Sequence, residues 1–124
     1  MNVIKDTLLL VSPAEIGDSV ALALNAAGYQ VAIANTELRA VALVFLMRSF
    51  AAVIVDERQH ENPSFALPSR LHGIRPDVPV VVISRVPVSS PPAGVEACVL
   101  EQELPNAMTA LLGSAVQYGQ HVAA

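Results

Sequence analysis

The chain has 124 residues, of which 53% are apolar and only 15% are charged, and its formal net charge is −4. An acidic balance with scattered basic residues excludes a nucleic-acid surface, which needs clustered lysine and arginine. The lone Cys98 rules out an internal disulfide, and the longest apolar run, residues 40–47, is far shorter than the roughly 20 residues of a membrane helix. Without a signal peptide, we expect one cytoplasmic domain over residues 1–124.

Local sequence patterns predict the first strand and the first helix. Apolar residues 7–11 predict a buried strand. Ser12, Pro13 and Glu15 then supply an N-cap, a proline at the first helical position and a capping-box partner. Apolar residues continue at helical spacing until Gly28, which ends the helix.

The middle of the chain predicts two further strands around a second helix. Residues 29–34 alternate as a strand, and Asn35 or Thr36 caps a helix that runs to about Ser49. Residues 51–55 are apolar throughout and predict a third strand, which ends at the carboxylate of Asp56. In open α/β sheets, ligands gather at the carboxyl ends of the strands, so this carboxylate is placed at a functional edge.

The second half of the chain predicts the remaining elements. A polar loop over residues 57–64 leads to a short helix over residues 65–74, and residues 78–83 form a fourth strand. A loop over residues 85–94 precedes a fifth strand over residues 95–100. The last helix has Pro105 in its first turn and one apolar face, formed by Leu104, Met108, Leu111 and Ala115. This alternation of strands and helices predicts an α/β fold with a parallel sheet between helical layers.

Four stretches fall in register with a known family. They are Gly28-Tyr29 after the first helix, the strand ending at Asp56, residues 75–80 before a strand ending at Ser84, and residues 94–97. On these stretches the chain resembles the receiver domain of bacterial response regulators over about residues 6–116. The resemblance implies a flavodoxin-like three-layer sandwich whose five-stranded sheet has the order 2-1-3-4-5. It also implies a single receiver-like domain, either complete or cut from a larger regulator.

The resemblance assigns site positions residue by residue, and most of them are altered. Asp56 matches the phosphoacceptor and Ser84 matches the switch hydroxyl. Ser12 and Pro13 stand where the family has two acidic residues that hold magnesium, and Glu101 replaces its lysine. Magnesium prefers carboxylate ligands, and phosphoryl transfer needs cations, so we expect no metal site and no cofactor here.

Two arginines are candidates for the missing positive charge. Arg58 lies two residues after Asp56, and Arg85 follows Ser84. We predict that one of them pairs with Asp56 or Glu101, which gives a fixed ion pair in place of a metal-dependent switch. Plainer interpretations stay open: Ser84 as a small hydroxyl at a strand end, Asp56 as a structural remnant, and Glu101 as a solvated charge.

Residues 40–47 are apolar all round the second helix, although a surface helix ordinarily has a polar stripe. We expect an interface of Val41, Val44, Phe45 and Met47, used for homodimerisation or for docking of a partner. The alternative is a core helix that exposes mainly Ala40, Val44 and Met47.

The connection between the last two strands is short for a parallel crossover. Residues 85–94 include Pro87, Pro91 and Pro92, and proline is excluded from helix interiors. The family's fourth helix is therefore expected to be shortened or lost.

The leading hypothesis is a non-enzymatic, receiver-like signalling module that acts through protein–protein contact with a kinase or an output domain. One alternative is an active receiver that is phosphorylated on Asp56. Another is a small-molecule or nucleotide sensor that uses the crevice between Ser12, Asp56 and Ser84.

Overall fold

In the part of the chain that the structure describes, the fold consists of five parallel strands and four α-helices. The computed structural model describes residues 7–47, 49–61, 63–86, 88 and 90–112, with residues 14–16 described by their backbone alone. The strands are β1 (Thr7–Val11), β2 (Gln30–Ala34), β3 (Phe50–Asp56), β4 (Val80–Ile83) and β5 (Ala97–Val99). The helices are α1 (Ala14–Ala26), α2 (Glu37–Leu46), α3 (Ala66–Ile74) and α4 (Leu104–Leu112), with a 3₁₀ turn at Glu101–Glu103 before α4.

The sheet confirms the predicted strand order, β2-β1-β3-β4-β5, with every pair of neighbours parallel. Its register places Val11 beside Val55, so that Ser12 and Asp56 follow at adjacent positions of the same edge. The carboxyl ends of β1 and β3 therefore bring together two residues that are 44 positions apart in the chain.

The two helical layers cover opposite faces of this sheet. Alternate residues of β1 point to opposite sides, as the pleat requires. Leu8 and Leu10 pack against α1 and α4 in one core, whereas Leu9 packs with α2 and α3 in the other. The result is the predicted flavodoxin-like three-layer sandwich.

Helix α1 begins one residue later than its local signals predict. Pro13 occupies the N-cap position, and no side chain caps the helix. The prediction of a Ser12 cap is therefore wrong, because the hydroxyl of Ser12 is engaged elsewhere, and the side chain of Glu15 lies outside the described residues. The other end behaves as predicted. Gly28 has φ 102°, and the Tyr29 N–H donates to the Leu24 carbonyl, which closes a Schellman motif.

Helix α2 is shorter than predicted and faces differently. Thr36 caps it by accepting from the Arg39 N–H, and the helix ends at Leu46 rather than near Ser49, because Met47 is already extended. Its inward face consists of Ala40 and Val44, both buried. Val44 is therefore not available to an interface, which corrects that part of the prediction.

Two of the four residues predicted for the interface, Phe45 and Met47, are exposed, and Leu38 and Leu46 are exposed beside them. Leu38, Phe45 and Leu46 are 81%, 70% and 72% exposed, and Met47 is also exposed just beyond the helix. Val41 is half-buried and packs at the edge of the core beneath α2 and α3.

The connection from β4 to β5 forms no helix in its described part, which leaves out residues 87 and 89. The sheet beneath it is covered by other side chains. Val82 and Cys98 pack with Val95, and Phe65 and Val88 close the cluster from outside. Phe65 reaches this place from a left-handed backbone conformation, φ 60°, just before α3.

The last helix has the predicted apolar face as far as it is described. Leu104 and Met108 are buried and Leu111 is half-buried, while Ala115 lies outside the described residues. Among the described residues, no helix is long and apolar enough to cross a bilayer.

Candidate functional site

Asp56 lies at the carboxyl end of β3 and is almost entirely buried, with its side chain 0% exposed. Ser12, at the end of β1, is buried beside it, and its Oγ donates a hydrogen bond to Asp56 Oδ2 over 3.1 Å. This contact explains why Ser12 does not cap α1. Gly17 leaves room for it, since a Cβ there would lie 3.3 Å from the Ser12 Cβ.

Arg58 is the dominant partner of Asp56. The chain turns immediately after β3, which brings the Arg58 backbone N–H to 3.0 Å from Oδ1 of Asp56. The guanidinium then folds back, with Nε 2.9 Å from Oδ1 and Nη2 2.6 Å from Oδ2. This bidentate pairing is the strong form of an arginine–carboxylate contact, because two parallel bonds fix its geometry.

The same guanidinium also binds Glu101. Nη1 of Arg58 donates to Oε1 of Glu101, and the other carboxylate oxygen accepts from Ser19 Oγ at 3.5 Å. Arg58 therefore bridges two acids from opposite parts of the chain. Of the two arginines proposed for this role, the structure uses Arg58. Arg85 is exposed and forms no ion pair within the described part of the chain.

The hydrogen-bonding capacity of Asp56 is full. An ionised carboxylate offers about four lone-pair sites. Oδ1 accepts from two nitrogens of Arg58, and Oδ2 accepts from Nη2 of Arg58 and from Ser12. The bond to Asp56 raises the pKa of Arg58 above its ordinary value, and the charges of Asp56 and Glu101 act in the same direction. The bridge is thus a permanent cation between two acids.

A divalent ion does not fit these residues. Magnesium is held by carboxylate oxygens and waters in near-octahedral geometry. Both oxygens of Asp56 are bound to Arg58, and its neighbours on the β1 side are Ser12 and Pro13 rather than acids. Within the described residues, no group of three metal-ligating side chains gathers anywhere.

Ser84 lies at the end of β4, on the other side of Asp56. Its hydroxyl donates to the carbonyl of Val86 and accepts from the Cys98 thiol at 3.2 Å. The hydroxyl is thus engaged by its own loop and by β5.

A crevice of about 280 Å³ opens beside Asp56, on the side of α2 and α3. Glu57 lines it and is only 7% exposed, and burial raises the pKa of its carboxyl group. The imidazole of His60 lies beside it, with Nε2 3.8 Å from Oε2 of Glu57. The sequence interpretation missed Glu57. Strand alternation was the signal that could have found it, because the residue after Asp56 continues the pleat into the opposite layer.

Comparisons with known proteins identify solved structures of the same fold. A CheY-like receiver domain protein from Methanospirillum hungatei JF-1 matches with a TM-score of 0.73 and 20% identity, over 93% of this chain and 99% of that one. The receiver domain of a sensor histidine kinase from Pseudomonas aeruginosa PAO1, solved with magnesium in its active site cleft, gives 0.69 and 19%, over 90% and 100%.

A complex of the histidine kinase ThkA with the response regulator TrrA also matches, with a TM-score of 0.71 and 16% identity, over 86% of this chain and 98% of that one. No protein-family model and no curated protein matches the sequence. The chain therefore has the CheY-like receiver fold, at an identity to these structures that speaks for the fold alone.

Proposed function

We propose that this chain is a receiver-like signalling module that acts through protein–protein contact and does not accept a phosphoryl group on Asp56. The observation that carries the proposal is the complete engagement of both Asp56 oxygens by Arg58 and Ser12. The receiver fold supplies the scaffold, and the ion pair supplies the reason that the scaffold works without phosphorylation.

The charge distribution supports this proposal. Phosphoryl transfer onto a carboxylate needs a free oxygen, and it needs cations that stabilise the transferring group. Here Arg58, the cation beside Asp56, is already bidentate to it, and Glu101 adds an anion at the position of the lysine. The Pseudomonas receiver holds magnesium in its active site cleft, whereas this chain offers arginine and serine in that region.

A protein partner is the natural ligand for such a module. In the ThkA–TrrA complex, a protein of the same fold is bound to a histidine kinase. We expect this chain to bind a kinase or an output domain in its resting shape. The Arg58 bridge would hold the loops after β3 and β5 in one arrangement for that contact.

Beryllofluoride with magnesium tests the proposal, because together they mimic a phosphoryl group only where a receiver site is intact. The amide NMR spectrum of the wild-type chain should not change when both are added. A chemical shift change centred on Asp56 and Ser84 that disappears in Asp56→Asn would overturn the proposal and favour an active phosphoacceptor.

A matched variant shows that the assay can detect a functional site on this scaffold. Ser12→Asp and Pro13→Asp restore the acidic pair, Glu101→Lys restores the cation, and Arg58→Ala frees Asp56. Aspartate is compatible with the N-cap position of Pro13. We expect this fourfold variant to respond to beryllofluoride and magnesium where the wild type is silent.

A second candidate function, a small-molecule sensor, is favoured by the crevice beside Asp56. It is lined by polar groups, including Ser12, Thr36 and the buried Glu57. A ligand that binds the folded state alone raises the melting temperature. A thermal-shift screen with nucleotides and small amines should identify such a ligand, and Glu57→Gln should abolish its effect if the crevice is the site.

A further inference from the structure

The outer face of α2 carries apolar side chains that the rest of the domain does not cover. Leu38, Ala42, Phe45 and Leu46 form this face, which we name the α2 stripe, and all four are exposed. The buried residues Ala40 and Val44 lie on the opposite side of the helix, facing the sheet. Large exposed apolar patches of this kind mark interaction sites on otherwise polar surfaces.

The α2 stripe is symmetric about Ala42. Leu38 and Leu46 stand four residues before and after it, about 6 Å away along the helix axis on each side. When two copies of such a helix pack antiparallel around a two-fold axis, position 42 meets itself and Leu38 of one copy comes level with Phe45 and Leu46 of the other. The small alanine at the crossing lets the two helices approach closely.

A groove lies where the second copy would place its Leu38. It is lined by Phe45, Ile74, Arg75 and Asp77 and holds about 370 Å³. Leu38 and Phe45 lie on the flank of the α2 stripe that is nearer to α3, the flank along which Glu37 pairs with Arg70. Two-fold symmetry keeps that flank on the same side in both copies. Each copy therefore offers a leucine and receives one.

Charges at the two ends of this flank are also complementary. The Glu37–Arg70 pair, at 2.5 Å, lies at the start of α2, and the Arg75–Asp77 pair, at 2.9 Å, lies beside its end. The antiparallel arrangement brings the first pair of one copy to the second pair of the other. Each pair holds one acid and one base, so opposite charges are available on both sides of the contact, and the exposed Arg39 lies at the edge of the α2 stripe rather than at its centre.

We propose that the occupant of the α2 stripe is a second copy of this chain, in a two-fold antiparallel α2–α2 dimer. One symmetry operation satisfies the leucine contacts, the groove and the end charges together. The dimer goes beyond the proposed function, since none of its contacts involves Asp56 or Arg58. Failure of one proposal therefore leaves the other unchanged.

Sedimentation equilibrium of the full chain, over micromolar to millimolar concentrations, tests the dimer with two matched variants. Ala42→Arg places two like charges and extra bulk at the crossing and should weaken the dimer on the order of 100-fold, because like charges in contact cost several kcal/mol. Leu22→Arg makes the same kind of change at an exposed leucine of α1, 68% exposed, and should leave the dimer intact.

The arrangement within the dimer is tested by cross-linking. Ala42→Cys should form a disulfide between copies under mild oxidation, because position 42 meets itself, whereas Leu22→Cys should not. Circular dichroism confirms that each variant remains folded. A folded wild type that stays monomeric at millimolar concentration overturns the proposal, and so does a dimer that Ala42→Arg leaves unchanged or that Leu22→Cys cross-links equally well.

Discussion

The functional groups at the Asp56 edge of the sheet are paired within the domain, whereas the apolar side chains on the outer face of α2 are not covered by it. At the edge, Arg58 and Ser12 donate hydrogen bonds to both oxygens of the buried Asp56 carboxylate, and Glu101 is bound by the same Arg58 guanidinium. On α2, Leu38, Phe45 and Leu46 face solvent. The site at which the fold ordinarily performs chemistry is satisfied internally, while a surface helix is left with apolar groups that a partner would bury.

The two regions therefore differ in what they can bind. An internally satisfied carboxylate has little tendency to bind an external cation or phosphoryl group. An uncovered apolar face gains free energy when a partner buries it. The comparison therefore predicts large stability effects at the Asp56 edge and association effects on α2.

The largest effect is expected from Arg58→Gln. This change leaves the carboxylate of Asp56 buried without its cation, and breaking one side of a buried pair costs about 3 kcal/mol. Urea denaturation should show that loss in the free energy of unfolding. Arg85→Gln is the matched control, because Arg85 is exposed and unpaired within the described residues, and its effect should stay within about 0.5 kcal/mol.

A double variant identifies the cause of that loss. If an uncompensated charge is responsible, Asp56→Asn should recover part of the stability that Arg58→Gln removes, because the amide carries no charge. Equal stability of the single and double variants, or equal losses from Arg58→Gln and Arg85→Gln, would show that the bridge is not what stabilises this edge.

Ser12→Ala should have the next largest effect. It removes one hydrogen bond to a buried, charged acceptor, which is worth about 1.5 kcal/mol or somewhat more. Ser69→Ala makes the same chemical change on the exposed surface of α3 and should change the free energy of unfolding by less than about 0.5 kcal/mol. A Ser12→Ala chain as stable as Ser69→Ala would mean that the contact with Asp56 contributes nothing.

The smallest of the expected stability effects comes from Glu57→Gln. Burial raises the pKa of Glu57 above its ordinary value of 4.5, so the folded state favours the protonated form. The associated stability is fully present below that ordinary value and is lost as the pH rises through the raised pKa. Glu57→Gln should therefore stabilise the chain, by less than about 1 kcal/mol, near pH 7.5 but not near pH 4.

The control for this pH dependence is Glu61→Gln, which lies in the same loop and is exposed. It should show no such difference between the two pH values. An equal gain for Glu57→Gln at both pH values would exclude titration of Glu57 as the cause.

The sheet could be predicted from sequence because its signals are local. Each strand is an apolar run between turn residues, and alternation with helices fixes a parallel arrangement. The pairing of Arg58 with Asp56 could be predicted for the same reason, because the two residues are only two positions apart in the chain. Similar local signals placed Gly28 at the end of α1.

Features that depend on distant neighbours could not be predicted in this way. Ser12 looks like a helix cap in its own segment, but the β1–β3 register offers its hydroxyl a buried carboxylate instead. The all-round apolar pattern of α2 predicts Val44 at an interface, and only packing shows which face of the helix turns inward. Phe65 covers β4 and β5 from a backbone conformation that nothing in its segment predicts.

Intact-mass spectrometry after incubation with magnesium and a small phosphodonor decides whether Asp56 is closed to phosphoryl transfer. If the engagement of Asp56 by Arg58 and Ser12 prevents phosphoryl transfer, the wild-type mass should stay unchanged. The fourfold variant, with its restored acids and lysine, should gain one phosphoryl group. A stoichiometric acyl phosphate on the wild type that is absent from Asp56→Asn would contradict it.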